Sequence, residues 1–198
     1  MNVTGILLAA GHSRRFTHGN KLLFPLQPGQ PTAIVSAQHL LAALPESLAV
    51  VRPETPDLAT LLSGIGMEVL VCQPEQQEMA DSLAAAVRHV LLRTAPPDAV
   101  VVALADMPFI RPETIVAVAG QLAAGAHIAA PAYQGVRGHP VGFGRRFFTE
   151  LASLTGDEGA RSVLRRHAKE IRLLECDDPG ILQDFDTWEE LQRLLPQP

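Results

Sequence analysis

Two kinds of charged residue stand where they could do chemistry. The first is a group of cations. The segment LLAAGHSRRFTHGNK, residues 7–21, leaves an apolar run and enters a loop holding Gly11, Arg14, Arg15, Gly19 and Lys21. Glycine lets a ligand approach the main chain closely, and successive free N–H groups in such a loop form an anion-binding nest. Arg15 and Lys21 can reach over that nest as charged donors, and Ser13 adds a hydroxyl. Leu8, Ala9 and Ala10 lead into the loop, and His12 is either a further phosphate contact or an incidental loop residue. Neither G-x-G-x-x-G nor G-x-x-x-x-G-K-[ST] occurs at this loop, so it is neither the dinucleotide loop nor the Walker-type loop.

The second kind is a pair of carboxylates. Asp106 closes the most apolar run of the chain, VVVALAD. A carboxylate is costly to bury there without a partner, and the competing reading is a turn or cap before Pro108. Asp186 lies in DFDT (184–187), within a stretch from Glu175 to Glu190 that holds seven acids and no Lys or Arg. Here Asp184, Asp186 or Thr187 could instead cap a helix. Mg²⁺ is commonly held by one or two carboxylates plus substrate phosphates, a role that Asp106 and Asp186 suit. There is no G-x-S-x-G elbow, and no protein nucleophile is evident.

The elements that must position these groups alternate. VTGILLA (3–9), LAVVR (48–52), MEVLVC (67–72), AVVVALA (99–105) and HIAA (127–130) read as strands, the fourth as a central one buried on both faces. Residues 32–44, 57–63, 81–92 and 112–122 read as helices, the last with proline at its first position. Strand, helix, strand in this order predicts an α/β fold, a doubly wound and mostly parallel Rossmann-like sheet with helices on both faces. Ligands bind such sheets beyond the carboxyl ends of the strands, so the opening loop and Asp106 should share one edge. Residues 135–175 break the rhythm, with GVRGHPVGF and then two helical stretches. A last helix begins near Thr187 and docks on the core through Trp188, Leu191, Leu194 and Leu195.

The order L-A-A-G-x-S-x-R, then lysine, resembles the signature of nucleotidyltransferases that activate phosphates or sugars with NTPs, although Thr17 stands where they usually carry glycine. Further segments resemble the molybdenum cofactor cytidylyltransferases of the MobA-like superfamily: QEMADSLAAAV (77–87), LADMPFIRPETI, VRGHPVGF (136–143), LTGDEGARSVL (154–164) and DPGILQDFDT. Glu78 replaces a glycine of that subgroup and places bulk and charge beside the base pocket. Trp188 replaces a proline.

The resemblance implies transfer of CMP from CTP to the terminal phosphate of molybdopterin, with Mg²⁺ on Asp106 and Asp186 and release of pyrophosphate. It makes Ser82 the base-side contact. Arg15, Lys21 and Asp106 would be the catalytic groups, and Leu8, Ala9, Ala10, Gly11 and Ser13 would line the nucleotide site. Residues 135–172 hold eight Lys and Arg against four acids, and Arg137, His139 and Arg161 are the expected acceptor contacts. GTP in place of CTP, a sugar-phosphate acceptor, or a non-catalytic cofactor chaperone are the alternatives.

The rest of the chain limits partners. At 198 residues, with 47% hydrophobic and 19% charged residues, the expectation is one nucleotidyltransferase domain over 1–198. Its nucleotide part would span about 1–110 and its acceptor part about 111–198. The first 45 residues contain Arg14, Arg15 and Lys21 and no acid, which leaves 13 of the 16 basic residues against all 21 acids elsewhere. That imbalance suits a small anion at the opening loop, and the net charge of −5 disfavours nucleic acid. No run approaches the length of a membrane helix. Cys72 and Cys176 form no ligand-spaced pair and read as free thiols of a cytoplasmic protein. A recipient molybdoenzyme, or its chaperone, is the further partner implied.

Overall fold

Apolar residues that alternate along a strand must be covered on both faces, and β1 (Val3–Ala9) shows how the chain meets that demand. Ile6 and Leu8 point into one core, with Leu48, Val50, Leu83 and Phe143. Leu7 and Ala9 point into the other, with Ala49, Leu58, Ile115 and Val118. The period of two along a strand requires this split. The computed structural model describes residues 1–195 apart from 12, 14, 28, 77 and 157. His12 and Arg14 of the opening loop, and Asp157 of the GDEGAR stretch, therefore lie outside the described residues.

After β1 come a small ribbon, β2 (Pro25–Gln27) with β3 (Gln30–Pro31), then α1 (Thr32–Ala43), β4 (Ser47–Val51), α2 (Pro56–Gly64), β5 (Glu68–Val71), α3 (Met79–Leu91), β6 (Ala99–Leu104) and α4 (Pro112–Ala123). The chain continues through β7 (Ile128–Tyr133), β8 (Val136–Arg137), β9 (Val141–Gly144), α5 (Phe148–Ala152), α6 (Arg161–Arg166), β10 (Ile171–Glu175) and α7 (Trp188–Leu194). The main sheet runs β10-β7-β9-β6-β1-β4-β5, with β8 paired to β7. β5, β4, β1 and β6 are parallel neighbours, and Leu8 lies opposite Leu104. The opening loop and Asp106 thus leave adjacent strands at the same edge. No helix among the described residues is long and apolar enough to cross a membrane.

Two expectations need correction. Residues 135–175 contain strands as well as helices: β9 enters between β6 and β7, antiparallel to both, and β10 forms the far edge. β9 is short and half of its four residues are glycine, which weakens the signal that announces a strand. Gly142 lets α4 pack closely, since a Cβ there would come 2.6 Å from Leu122 Cδ1 and displace that side chain. The last helix docks elsewhere than expected. α7 packs Leu191, with Trp188, Leu194 and Leu195, on Phe16, Phe24 and Phe185 rather than on the sheet.

One buried acid fixes the segment leading to that helix. Asp178 is 2% exposed and accepts from Thr114 Oγ1 at 2.6 Å, Arg111 N at 3.0 Å and Gly180 N at 3.1 Å. The 3₁₀ turn over Pro179–Leu182 is thereby wedged against the loop after β6. Gly180 lies where a Cβ would strike the Phe109 carbonyl, and Gly138 where one would strike the carbonyl of Ile181. Asp178→Ala leaves three donors unpaired in the interior. It should lower the unfolding free energy by about 3 kcal/mol in urea titrations, and a loss under 1 kcal/mol would remove the clasp from this account.

Candidate active site

The loop that leaves β1 is closed by short polar side chains. Asn20 Oδ1 accepts from the Ser13 hydroxyl at 3.2 Å and from Leu22 N at 3.0 Å, while Ser13 Oγ accepts from Lys21 N at 3.3 Å. Ser13 has φ 51° and Gly19 φ 95°. Among the described loop residues the left-handed turns therefore fall at these two positions and not at Gly11. A left-handed serine is uncommon, and here its hydroxyl bonds on both sides of the loop. A Cβ on Gly11 would meet no protein atom within 4 Å, which leaves its main chain open to a ligand. Beneath the loop, Phe16 packs edge-on to Phe24, and His18 lies 4.7 Å from the Trp188 ring.

Lys21 carries the loop to the carboxylates. Its Nζ donates to Asp106 Oδ2 at 2.7 Å, Asp186 Oδ1 at 2.8 Å and the Phe185 carbonyl at 2.9 Å. Arg15 donates to the other oxygen of Asp186. Burial alone would lower the Lys21 pKa, but Asp106 and Asp186 outweigh it and hold it above its ordinary value. Asp106 is therefore no cap. The capping role near Asp186 falls to Thr187, whose hydroxyl accepts from Glu190 N at 3.3 Å. Glu190 in turn accepts from Asp186 N at 2.7 Å, so the Asp186 carboxylate is left for Lys21 and Arg15. Asp184 faces the same space, and burial first, then the charges of Asp106 and Asp186, raise its pKa.

A cavity of about 660 Å³ starts at this cluster and extends along the sheet edge. Leu8, Ala10, Gly11, Ser13, Arg15 and Lys21 line one end with Asp106, Asp184 and Asp186. Ser82 and Glu78, from the start of α3, line the same cavity, as do Arg137, His139 and Arg161. Val102, Val141, Phe143 and Leu164 make an apolar floor that the sequence reading did not name. Ala9 is the exception among the expected residues. Its side chain is 1% exposed in the core opposite, as the strand pleat dictates, so only its main chain could serve a ligand. Ser82 is 1% exposed, and its hydroxyl donates to the Glu78 carbonyl at 3.2 Å. Asn20 and the Phe185 carbonyl were also missed. The asparagine had a signal, since Gly-Asn before a lysine is turn chemistry, whereas a main-chain acceptor has none.

Asp106 Oδ2, Asp186 Oδ1 and the Phe185 carbonyl converge on one atom. This all-oxygen set fits a hard divalent cation such as Mg²⁺ or Mn²⁺. Among the described residues no three His, Cys, Asp or Glu side chains gather at metal-binding spacing, so substrate oxygens would complete the shell.

A doubly wound sheet with a cation-bearing loop after its first strand, facing carboxylates at the same edge, defines a Rossmann-like nucleotidyltransferase. The chain belongs to the MobA-like NTP transferase family, whose domain model matches residues 5–171. It is 30% identical to the purine catabolism protein PucB of Bacillus subtilis (strain 168), over 94% of this chain and 92% of that one. It is 28% identical to nicotine blue oxidoreductase of Paenarthrobacter nicotinovorans, over 98% and 96%. The crystal structure of Rv0371c from Mycobacterium tuberculosis H37Rv is 25% identical, covers 98% of this chain and 97% of that one, and superposes with a TM-score of 0.83. A manganese complex of Rv0371c from the same organism, also 25% identical, covers 98% of each chain with a TM-score of 0.78.

His139 shows how the cavity lining is tuned electrostatically. Its Nδ1 is enclosed and has no hydrogen-bond partner among the described residues. Burial is the main cause that takes its pKa down to about 4; Asp106 opposes this, and Arg137 and Arg161 add to it. The unfolded imidazole titrates near 6.5 and the folded one near 4, so folding favours the neutral ring. That contribution to stability is complete above about pH 6.5 and is lost as pH falls towards about 4. His139→Gln should flatten the rise of unfolding free energy with pH across this window, measured by denaturation at pH steps. An unchanged slope would show that His139 titrates normally.

Proposed function

We propose that the protein transfers CMP from CTP to the terminal phosphate of molybdopterin or molybdenum cofactor and releases pyrophosphate. The observation that carries this reading is one cavity lined by four cations, Arg15, Lys21, Arg137 and Arg161, together with the carboxylates of Asp106 and Asp186. Two phosphate-bearing substrates can meet there. The nucleotide would occupy the part built by about residues 1–110, and the acceptor the part built by about residues 111–198. Relatives support a small-molecule role: one is named for purine catabolism, and Rv0371c takes manganese.

An oxygen of the acceptor phosphate attacks the α-phosphorus, and the bond to the bridging oxygen of pyrophosphate breaks with both electrons leaving on pyrophosphate. The acceptor phosphate is largely ionised near neutral pH, so no strong general base is needed. Asp106 and Asp186 would hold Mg²⁺, which would supply charge neutralisation at the phosphates when bound. Arg15, Lys21 and the main chain around Gly11 and Ser13 hold the leaving pyrophosphate. Ser82 and Glu78 face the base, where Glu78 adds a negative charge that discriminates among bases. Arg137, His139 and Arg161 hold the acceptor, with the arginines on its phosphate and the neutral imidazole offering a hydrogen bond. Positioning and charge complementarity supply the rate. Free thiols at Cys72 and Cys176 suit a reducing cytoplasm, where a recipient molybdoenzyme or its chaperone would collect the product.

The test is pyrophosphate release with Mg²⁺ and molybdenum cofactor, comparing CTP, GTP, ATP and UTP. CTP should be preferred, and Asp106→Ala should reduce the rate about 10²–10³-fold. Preference for GTP would make the protein a guanylyltransferase, and turnover with sugar phosphates would change the acceptor. Cofactor binding without release would make it a chaperone. Because one relative is named an oxidoreductase, NAD(P)H oxidation is measured alongside, and turnover there without pyrophosphate release would overturn the transferase reading.

A further inference from the structure

The oxygens that would receive a divalent cation already hold one of the protein's own. A lysine ammonium has three protons, and all three of Lys21 are directed at oxygens: Asp106 Oδ2, Asp186 Oδ1 and the Phe185 carbonyl. The Lys21 side chain is only 7% exposed, while Arg15, on the second oxygen of Asp186, is 73% exposed. An ammonium holds its acceptors at 2.7–2.9 Å here, whereas Mg²⁺ needs oxygens at about 2.0–2.1 Å. The two cations cannot share this position, and bringing a double positive charge beside an enclosed single one is strongly unfavourable.

Resting on the reading of the site as a nucleotide and metal site, we propose that Lys21 is an exchangeable internal cation, which holds Asp106 and Asp186 together until a nucleotide's phosphates draw its ammonium away. Metal alone must part the ammonium from both carboxylates that it now bonds, leaving it to the remaining acids of the cavity lining, Glu78, Glu158 and Asp184, and a partly buried charge left poorly paired is costly. A polyphosphate supplies a stronger anion on the loop that carries Lys21. Metal and nucleotide therefore enter together, and each tightens the other by the same factor. Arg15 follows with less resistance because it lies nearer to solvent. The device keeps two facing carboxylates neutralised between turnovers and prevents a free metal ion from occupying the site without substrate.

The chain has only two lysines, Lys21 and Lys169, which makes the exchange visible directly. Protein labelled with ¹⁵N-lysine should show two side-chain ammonium signals, assigned by a Lys169→Arg variant. Mg²⁺ alone should leave the Lys21 signal in place, and Mg²⁺ with CTP should move it. Displacement by Mg²⁺ alone, or no movement at saturating Mg²⁺ with CTP, overturns the exchange. A second arm needs no nucleotide: free Mn²⁺ is followed by electron paramagnetic resonance against wild type, Lys21→Met and Lys21→Gln. Each substitution should tighten Mn²⁺ binding at least tenfold, and unchanged or weaker binding in a folded variant overturns the proposal. Asp106→Asn separates the two readings. If it abolishes Mn²⁺ binding while the Lys21 variants match wild type, the metal reading stands and the exchange falls. If it changes nothing, the cation lies elsewhere and both fall.

Discussion

A single ammonium group ties together three parts of the chain that would otherwise repel or drift apart. Lys21 reaches from the loop after β1, Asp106 from the end of β6, and Phe185 and Asp186 from the segment before α7. Without a cation between them, Asp106 and Asp186 would face one another across a half-enclosed space. Electrostatics thus sets a condition that packing alone cannot meet. The condition also explains the aromatic cluster under the loop, because Phe16, Phe24, Phe185 and Trp188 fix the loop and the C-terminal segment to each other. The charged contact is made above that apolar base.

The centre of the sheet was legible because β1, β4 and β6 are mostly apolar. β1 begins and ends where the sequence placed it, and α4 starts at the expected proline. The parallel order followed from alternation, and with it came the shared edge of the opening loop and Asp106. The functional groups were legible for a related reason: charged residues at the ends of apolar strands have few structural uses. Arg137 and Arg161 stand among several arginines, and only their resemblance to motifs, not their chemistry, distinguished them from Arg145 or Arg165.

What escaped the sequence was pairing between distant residues. Nothing in VGFG says that β9 will run antiparallel between β6 and β7; that is set by its pairing with residues 99–102 and 128–129. Nothing in Lys21 says that its partners are carboxylates, since a loop cation beside glycines reads as an anion binder. The docking of α7 on the loop likewise needed knowledge of where Phe16 and Phe24 lie. Residues such as Ala9, whose role depends on which face of a strand it occupies, were placed by the pleat rather than by residue type.

The ties between Lys21 and its partners span long stretches of sequence, 85 residues to Asp106 and 165 to Asp186. A ribosome makes the loop first and its last counter-charge only after most of the sheet has been synthesised. During that interval the loop carries cations with no acids of its own, and the strand ending in Asp106 follows while Asp186 is still to come. The site is therefore among the last features of the molecule to close, and contacts at such separation slow folding. A chain that stalls or is cut before residue 185 can hold much of its fold yet lacks the acid that completes the site.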